Sequence, residues 1–97
     1  MGRDDFVFTI GYDGYTAIID GAAQRRYRRM NLEQLLTDGQ FRAALRRAEY
    51  DGDDAALHRV LDVYNDGSLR PVEDLDELRR LFGVFGVPDQ VSKVERI

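Results

Sequence analysis

The sequence predicts an α+β fold: an N-terminal antiparallel β-hairpin, with a third strand on offer from the C-terminal tail, packed against four to five short α-helices. Three observations predict it. Residues 6–20, FVFTIGYDGYTAIID, place two runs rich in β-branched and aromatic residues on either side of Asp13-Gly14. Downstream, apolar residues recur at helical spacing in several segments. Asp-Gly occurs five times, at 13–14, 20–21, 38–39, 51–52 and 66–67. Glycine accepts positive φ and aspartate bonds nearby amides, so each pair marks a turn or a helix boundary. Ninety-seven residues can hold one core without staples, so 1–97 read as a single domain, with 84–97 a tail of open structure.

Asp13-Gly14 suits a two-residue type I′ turn, which needs positive φ at both central positions. Closing there sets Tyr12 opposite Tyr15, Ile10 opposite Ala17 and Phe8 opposite Ile19. Alternation then gives Phe6, Phe8, Ile10, Tyr12, Tyr15, Ala17 and Ile19 one face, and Val7, Thr9, Gly11, Thr16, Ile18 and Asp20 the other. A lone hairpin is marginal in water, so its apolar face needs a cover.

Helices supply that cover. Residues 22–29 read as a short helix with Ala23, Tyr27 and Met30 inward. Asn31 caps a second, Leu32 to Thr37, with Leu32, Leu35 and Leu36 inward and Gly39 beyond its end. From Gln40 to Tyr50, Phe41, Ala44, Leu45 and Ala48 form one stripe, leaving Arg42, Arg46, Arg47 and Glu49 outside. Asp53 or Asp54 caps the next helix, Asp54 to Tyr64, with Leu57, Val60, Leu61 and Tyr64 in its stripe. A last helix spans about Val72 to Phe82, acids early and Arg79, Arg80 late, as the helix dipole favours. Leu75, Leu78, Leu81, Phe82 and Phe85 face inward there, and Gly83 caps the end. The tail fits a helical turn through Val91 and Val94 or a strand, VSKVERI. The strand is favoured, because it would cover an edge of the hairpin. The expected core is Phe6, Phe8, Ile10, Ala17, Ile19, Leu32, Leu35, Leu36, Phe41, Leu45, Leu57, Val60, Leu61, Leu75, Leu78 and Phe82.

Hydrophobic content of 43% against 33% charged residues suits a folded soluble chain and argues against disorder. There is no cysteine, so disulfides and thiolate metal sites are unavailable. No apolar run approaches a membrane span, and the charged start MGRDDF does not read as a signal peptide, so the cytoplasm is the expected location. Net charge is −4, unevenly spread: residues 1–48 carry eight Arg against six acids, and residues 49–97 carry five Arg and one Lys against twelve acids.

Catalytic patterns are sparse, and the chain is read as a non-enzyme with no catalytic, cofactor or metal residues. His58, the only histidine, has Asp62 four residues on, which suits a base with its orienting group or an ordinary surface contact; the second reading is favoured. Ser68 and Ser92 lack a nucleophile-elbow sequence. Glu49, Asp51, Asp53 and Asp54 gather four carboxylates, but a calcium loop starting at Asp51 would put Ala55 and Ala56 at its fifth and sixth positions, so these acids read as caps. The glycines at 11 and 14, and at 83 and 86, do not precede helices as a phosphate loop requires.

One cluster has functional colour: Arg25, Arg26, Tyr27, Arg28 and Arg29, then Arg42, Arg46 and Arg47. Arginine with an interleaved aromatic suits phosphate contact and base stacking. Against that, the whole chain has a pI near 4.9, and the acids of its second half are a ready internal partner. The favoured function is a small cytoplasmic, non-catalytic protein-interaction module, its partner another protein or a second copy through an uncovered hairpin edge. The alternative is a nucleic-acid-binding domain using the arginines of 25–47. The order hairpin, basic helix, helical pair, acidic helix is not by itself tied to an activity.

Overall fold

The computed structural model describes residues 1–97. The elements run α1 (Arg3–Val7), β1 (Thr9–Asp13), β2 (Thr16–Ile19), α2 (Gly21–Tyr27), α3 (Leu32–Thr37), α4 (Phe41–Asp51), α5 (Asp54–Gly67), α6 (Leu75–Phe82) and β3 (Lys93–Arg96). The sheet has the order β1-β2-β3, with β1 antiparallel and β3 parallel to β2. The fold is therefore α+β, with six helices where four to five were expected. The tail is the third strand: it pairs Val94 with Ala17 and Arg96 with Ile19. No helix is long and apolar enough to cross a membrane.

The hairpin differs from expectation at both ends. Residues 3–7 are helical. Asp4 and Asp5 sit in the first turn, at the positive end of the helix dipole. In a strand, neighbours point to opposite faces, so only one of Phe6 and Val7 would face the helices; the helix buries both. At the other end the loop is Gly14-Tyr15, because Asp13 pairs with Thr16. Gly14 takes φ 59 and no non-glycine residue has positive φ. That is the requirement of a type II′ turn, glycine first, and it spares Asp13 the left-handed conformation. Tyr12 consequently faces Ala17 instead of Tyr15.

The pairing then slips between Thr9 and Gly11, leaving Ile10 as an extra residue in a bulge. The bulge exchanges the two side chains. Thr9 is buried opposite Ile19, and its hydroxyl donates to the Asp5 carbonyl at 2.6 Å, while Ile10 is exposed. Ile10 is thus not a core residue. Val7 and Thr9, assigned to the outer face, are both buried.

α2, α3 and α4 follow the expected boundaries to within two residues, whereas α5 runs on past Tyr64 to Gly67. Asp20, Asn31, Asp53 and Asp74 each cap a helix by accepting an amide N–H of its first turn. At α3 the cap is reciprocal: Asn31 Oδ1 accepts from Gln34 N, and Gln34 Oε1 accepts from Asn31 N, both at 2.8 Å. α3, α4 and α6 end alike. Gly39, Gly52 and Gly83 take positive φ, and the amide beyond each reaches back to Leu35, Ala48 and Arg79. α6 begins at Leu75, not Val72, because the Asn65 side chain holds both the N–H and the C=O of Val72 at 2.9 Å in a loop.

α4 lies at the centre, packed against α1, α3, α5 and α6. Its buried apolar face is Ala43, Ala44, Leu45 and Ala48, and the three alanines let neighbours approach closely. Val7, Phe8, Ala17, Ile19, Leu35, Leu36, Leu57, Val60, Leu78 and Val84 complete the core around it. At one end Tyr64 packs edge-on against both Phe41 and Phe82, its ring centroid 5.6 Å from each. Leu32, Phe41, Leu61, Leu75 and Phe82 are half-buried. Leu81 and Phe85, expected inward, are exposed; the left-handed turn at Gly83 buries Val84 instead.

Candidate binding surfaces

The arginine cluster divides in two. α2 places Arg25 and Arg26 in its last turn, and Arg28 and Arg29 follow as the chain leaves the helix. These four and Arg42 are exposed. Tyr27 is half-buried; its hydroxyl accepts from Gln40 Nε2 at 3.3 Å, and the Arg26 guanidinium lies 5.2 Å from its ring centroid. That contact occupies one ring face.

Arg46 and Arg47 turn inward, against the expectation that they lie on the outer face of α4. Arg47 is only 9% exposed. It donates through Nη1 to the Met30 carbonyl and through Nη2 to the Arg28 carbonyl at 3.2 Å. Those acceptors follow α2, where the helix dipole is negative, so a cation is well placed there. Arg46 donates through Nη1 to the Thr9 carbonyl and, at 3.5 Å, to that of Val7. Burial and the nearby Arg42 charge both lower the pKa of Arg46, with Tyr12 opposing. Burial, then Arg3, lowers that of Arg47 against the pull of Asp4 and Asp51.

No acid of the second half pairs with the exposed arginines of the cluster. The ion pairs are Arg3–Asp51, Arg59–Glu33, Arg79–Glu49, Arg79–Asp76 and Arg96–Asp5. None engages Arg25, Arg26, Arg28, Arg29, Arg42, Arg46 or Arg47. Arg96 and Asp5 belong to a polar network: Asp5 Oδ1 also accepts from Gln24 Nε2 at 3.0 Å, and Arg96 Nε donates to Gln24 Oε1 at 3.1 Å. It ties α1, α2 and β3 together.

The second surface is an apolar cleft of about 340 Å³. Its lining takes Ile10, Gly11 and Tyr12 from β1, Phe6 from α1, Arg46 from α4, and Gly83, Phe85, Gly86 and Pro88 from the loop after α6. No residue of β2 or β3 contributes. Ile10, Tyr12 and Phe85 are 46%, 49% and 75% exposed. Bulge and turn create the site together: the first pushes Ile10 out of the core, and the turn at Gly83 throws Phe85 across from it. Sequence reasoning placed both inside. The available signal was Phe85 between Gly83, Gly86 and Pro88, a setting too short of helix formers to hold it inward.

Neither catalytic pattern assembles. His58 is exposed, and its Nδ1 lies 2.8 Å from the Asp54 carbonyl, one helical turn back, not on Asp62. Asp53 is a helix cap, Asp51 pairs with Arg3 and Glu49 with Arg79. No three His, Asp or Glu side chains converge as a metal site would need. Comparison with known proteins finds no matching family model, no matching curated protein and no matching solved structure.

Proposed function

We propose that this chain is a non-catalytic interaction module that binds a partner protein through the cleft beside β1. The observation that carries the reading is the gathering of Ile10, Tyr12 and Phe85, all substantially exposed, around one cleft next to a sheet-edge strand. Scattered apolar residues are normal on a protein surface, whereas a contiguous group beside unpaired strand edge is a docking feature. The cleft volume is also within the range of sites that seat a ligand group.

Affinity capture with quantitative mass spectrometry tests this. A bait carrying Ile10→Ser and Phe85→Ser loses the partner that the parent bait retains, and an Arg25→Ala, Arg26→Ala, Arg28→Ala, Arg29→Ala bait keeps it. A second copy of the chain is one candidate partner, and light scattering detects it directly. A strictly monomeric parent that retains nothing above background overturns the reading.

Nucleic-acid binding is the second reading. The observation favouring it is that Arg25, Arg26, Arg28, Arg29 and Arg42 are exposed and outside every ion pair. Five phosphate contacts on a single strand give a log–log salt slope of about −3.5, so affinity falls about 100-fold between about 50 and 200 mM salt. Absence of any anisotropy change with labelled RNA or DNA at low salt removes it.

A further inference from the structure

Resting on the protein-interaction reading, we infer that the cleft beside β1 selects a peptide segment that carries a carboxylate next to a bulky apolar side chain, with Arg46 as the counter-ion. The apolar half of the argument is the lining: Phe6, Ile10, Phe85 and Pro88 offer a pocket of a size to hold one large side chain. The polar half is Arg46. It lines the same cleft, half-buried, and its bonds to the Thr9 and Val7 carbonyls both run through Nη1. Nε and Nη2 make no hydrogen bond, and neither is sealed from solvent as Arg47 Nε is.

No carboxylate of the chain pairs with Arg46, although the chain carries more acids than bases. The cation is instead disfavoured by burial and by Arg42. A guanidinium fork with free donors, at the edge of an apolar pocket and lacking its own counter-ion, is complementary to an incoming carboxylate. The partly excluded water strengthens that contact relative to one on open surface. Polyanions have the exposed arginines in and just after α2 to occupy, so the confined site suits a peptide. Gly11 and Tyr12 of β1 run along the cleft and give an extended main chain a strand to lie beside.

The test uses the full chain and an array of octapeptides, each with one Phe, Leu or Trp flanked by Asp, Asn or Lys. The best Asp ligands are then titrated in solution beside their Asn counterparts, with amide resonances followed. Asp peptides bind about tenfold more tightly than Asn peptides and shift Gly11, Tyr12, Gly83 and Gly86. Phe85→Ser, at an exposed position, keeps the fold and weakens binding about tenfold. Arg46→Lys retains charge without the fork and narrows the Asp–Asn difference. Asp and Asn ligands that bind alike, shifts centred on residues 25–29, or an array with no Asp-dependent ligand each overturn the assignment. The capture experiment stands apart: a partner lost on Ile10→Ser and Phe85→Ser with no Asp preference in the array leaves the module reading intact and removes only the carboxylate.

Discussion

Arg47→Met removes a buried cation that joins two parts of the chain. Arg47 reaches from α4 to the carbonyls of Arg28 and Met30, in the link between α2 and α3. Each bond from a charged donor contributes about 1.5–3 kcal/mol. Against that, the parent buries a guanidinium whose Nε has no partner, a cost of about 1–3 kcal/mol that the substitution relieves. Methionine keeps most of the stem and its packing. The net loss works out at about 2 kcal/mol, or about 8–16 °C in Tm for a domain this size. Arg47→Lys, with one point donor in place of a fork, recovers about half of it. Urea unfolding followed by circular dichroism reads the change as a lower midpoint at unchanged slope. Hydrogen exchange adds a local readout, since residues 28–31 lose their anchor and their amides exchange faster. A Met variant as stable as the parent refutes the reasoning, because those carbonyls would then be served equally well by water.

Further expectations concern other joints. Gly21→Ala gains only part of the roughly 1 kcal/mol of helix propensity that an interior position would give, but its Cβ would lie 2.8 Å from the Ile97 carbonyl, a main-chain atom held by the Gly21 amide. The net effect is a loss of about 1 kcal/mol with faster exchange along β3; a gain in thermal stability contradicts the close approach. Asn31→Ala removes the reciprocal cap of α3 and costs about 1 kcal/mol in chemical denaturation, while Asn31→Gly costs only a few tenths. The hydrogen bonds from Arg59 hold the Glu33 carboxyl below its ordinary pKa. Folding is therefore favoured by this group above the unfolded carboxylate pKa, and the contribution is lost as pH falls through the lower folded value. Carbon-detected titration finds the Glu33 midpoint below the ordinary glutamate value, and Arg59→Gln returns it there.

Local signals were legible wherever one residue decides the backbone. Asn31, Asp53, Gly39, Gly52 and Gly83 mark helix ends that need a side-chain acceptor or a positive φ, and all five are used so. Helical stripes were equally readable, because Leu35, Leu45, Leu57, Val60 and Leu78 recur at the period of the helix they bury. The third strand was readable from the need to cover a sheet edge. The first eight residues were not: alternation of Phe6, Phe8 and Ile10 fits a strand, and only packing of both Phe6 and Val7 against the rest of the fold selects a helix.

The same limit governed the binding surfaces. Ile10 leaves the core through a bulge, and bulges have no composition signature in a run of β-branched residues. Arg46 and Arg47 sit between stripe positions of α4, where charge reads as solvent-facing. Their destination depends on carbonyls about 17 and 37 residues away in sequence, which no local pattern encodes. The division of the arginine cluster into five exposed and two inward members is thus a tertiary fact.

The most direct measurement places a photo-cross-linking phenylalanine analogue at position 85 in one copy of the chain and at position 29 in another, each irradiated in living cells. Position 85 sits at the rim of the cleft and position 29 on the basic link after α2. A discrete protein adduct from position 85, suppressed by Ile10→Ser and absent from position 29, is the predicted result. Adducts from position 29 alone, or none from position 85, contradict the account.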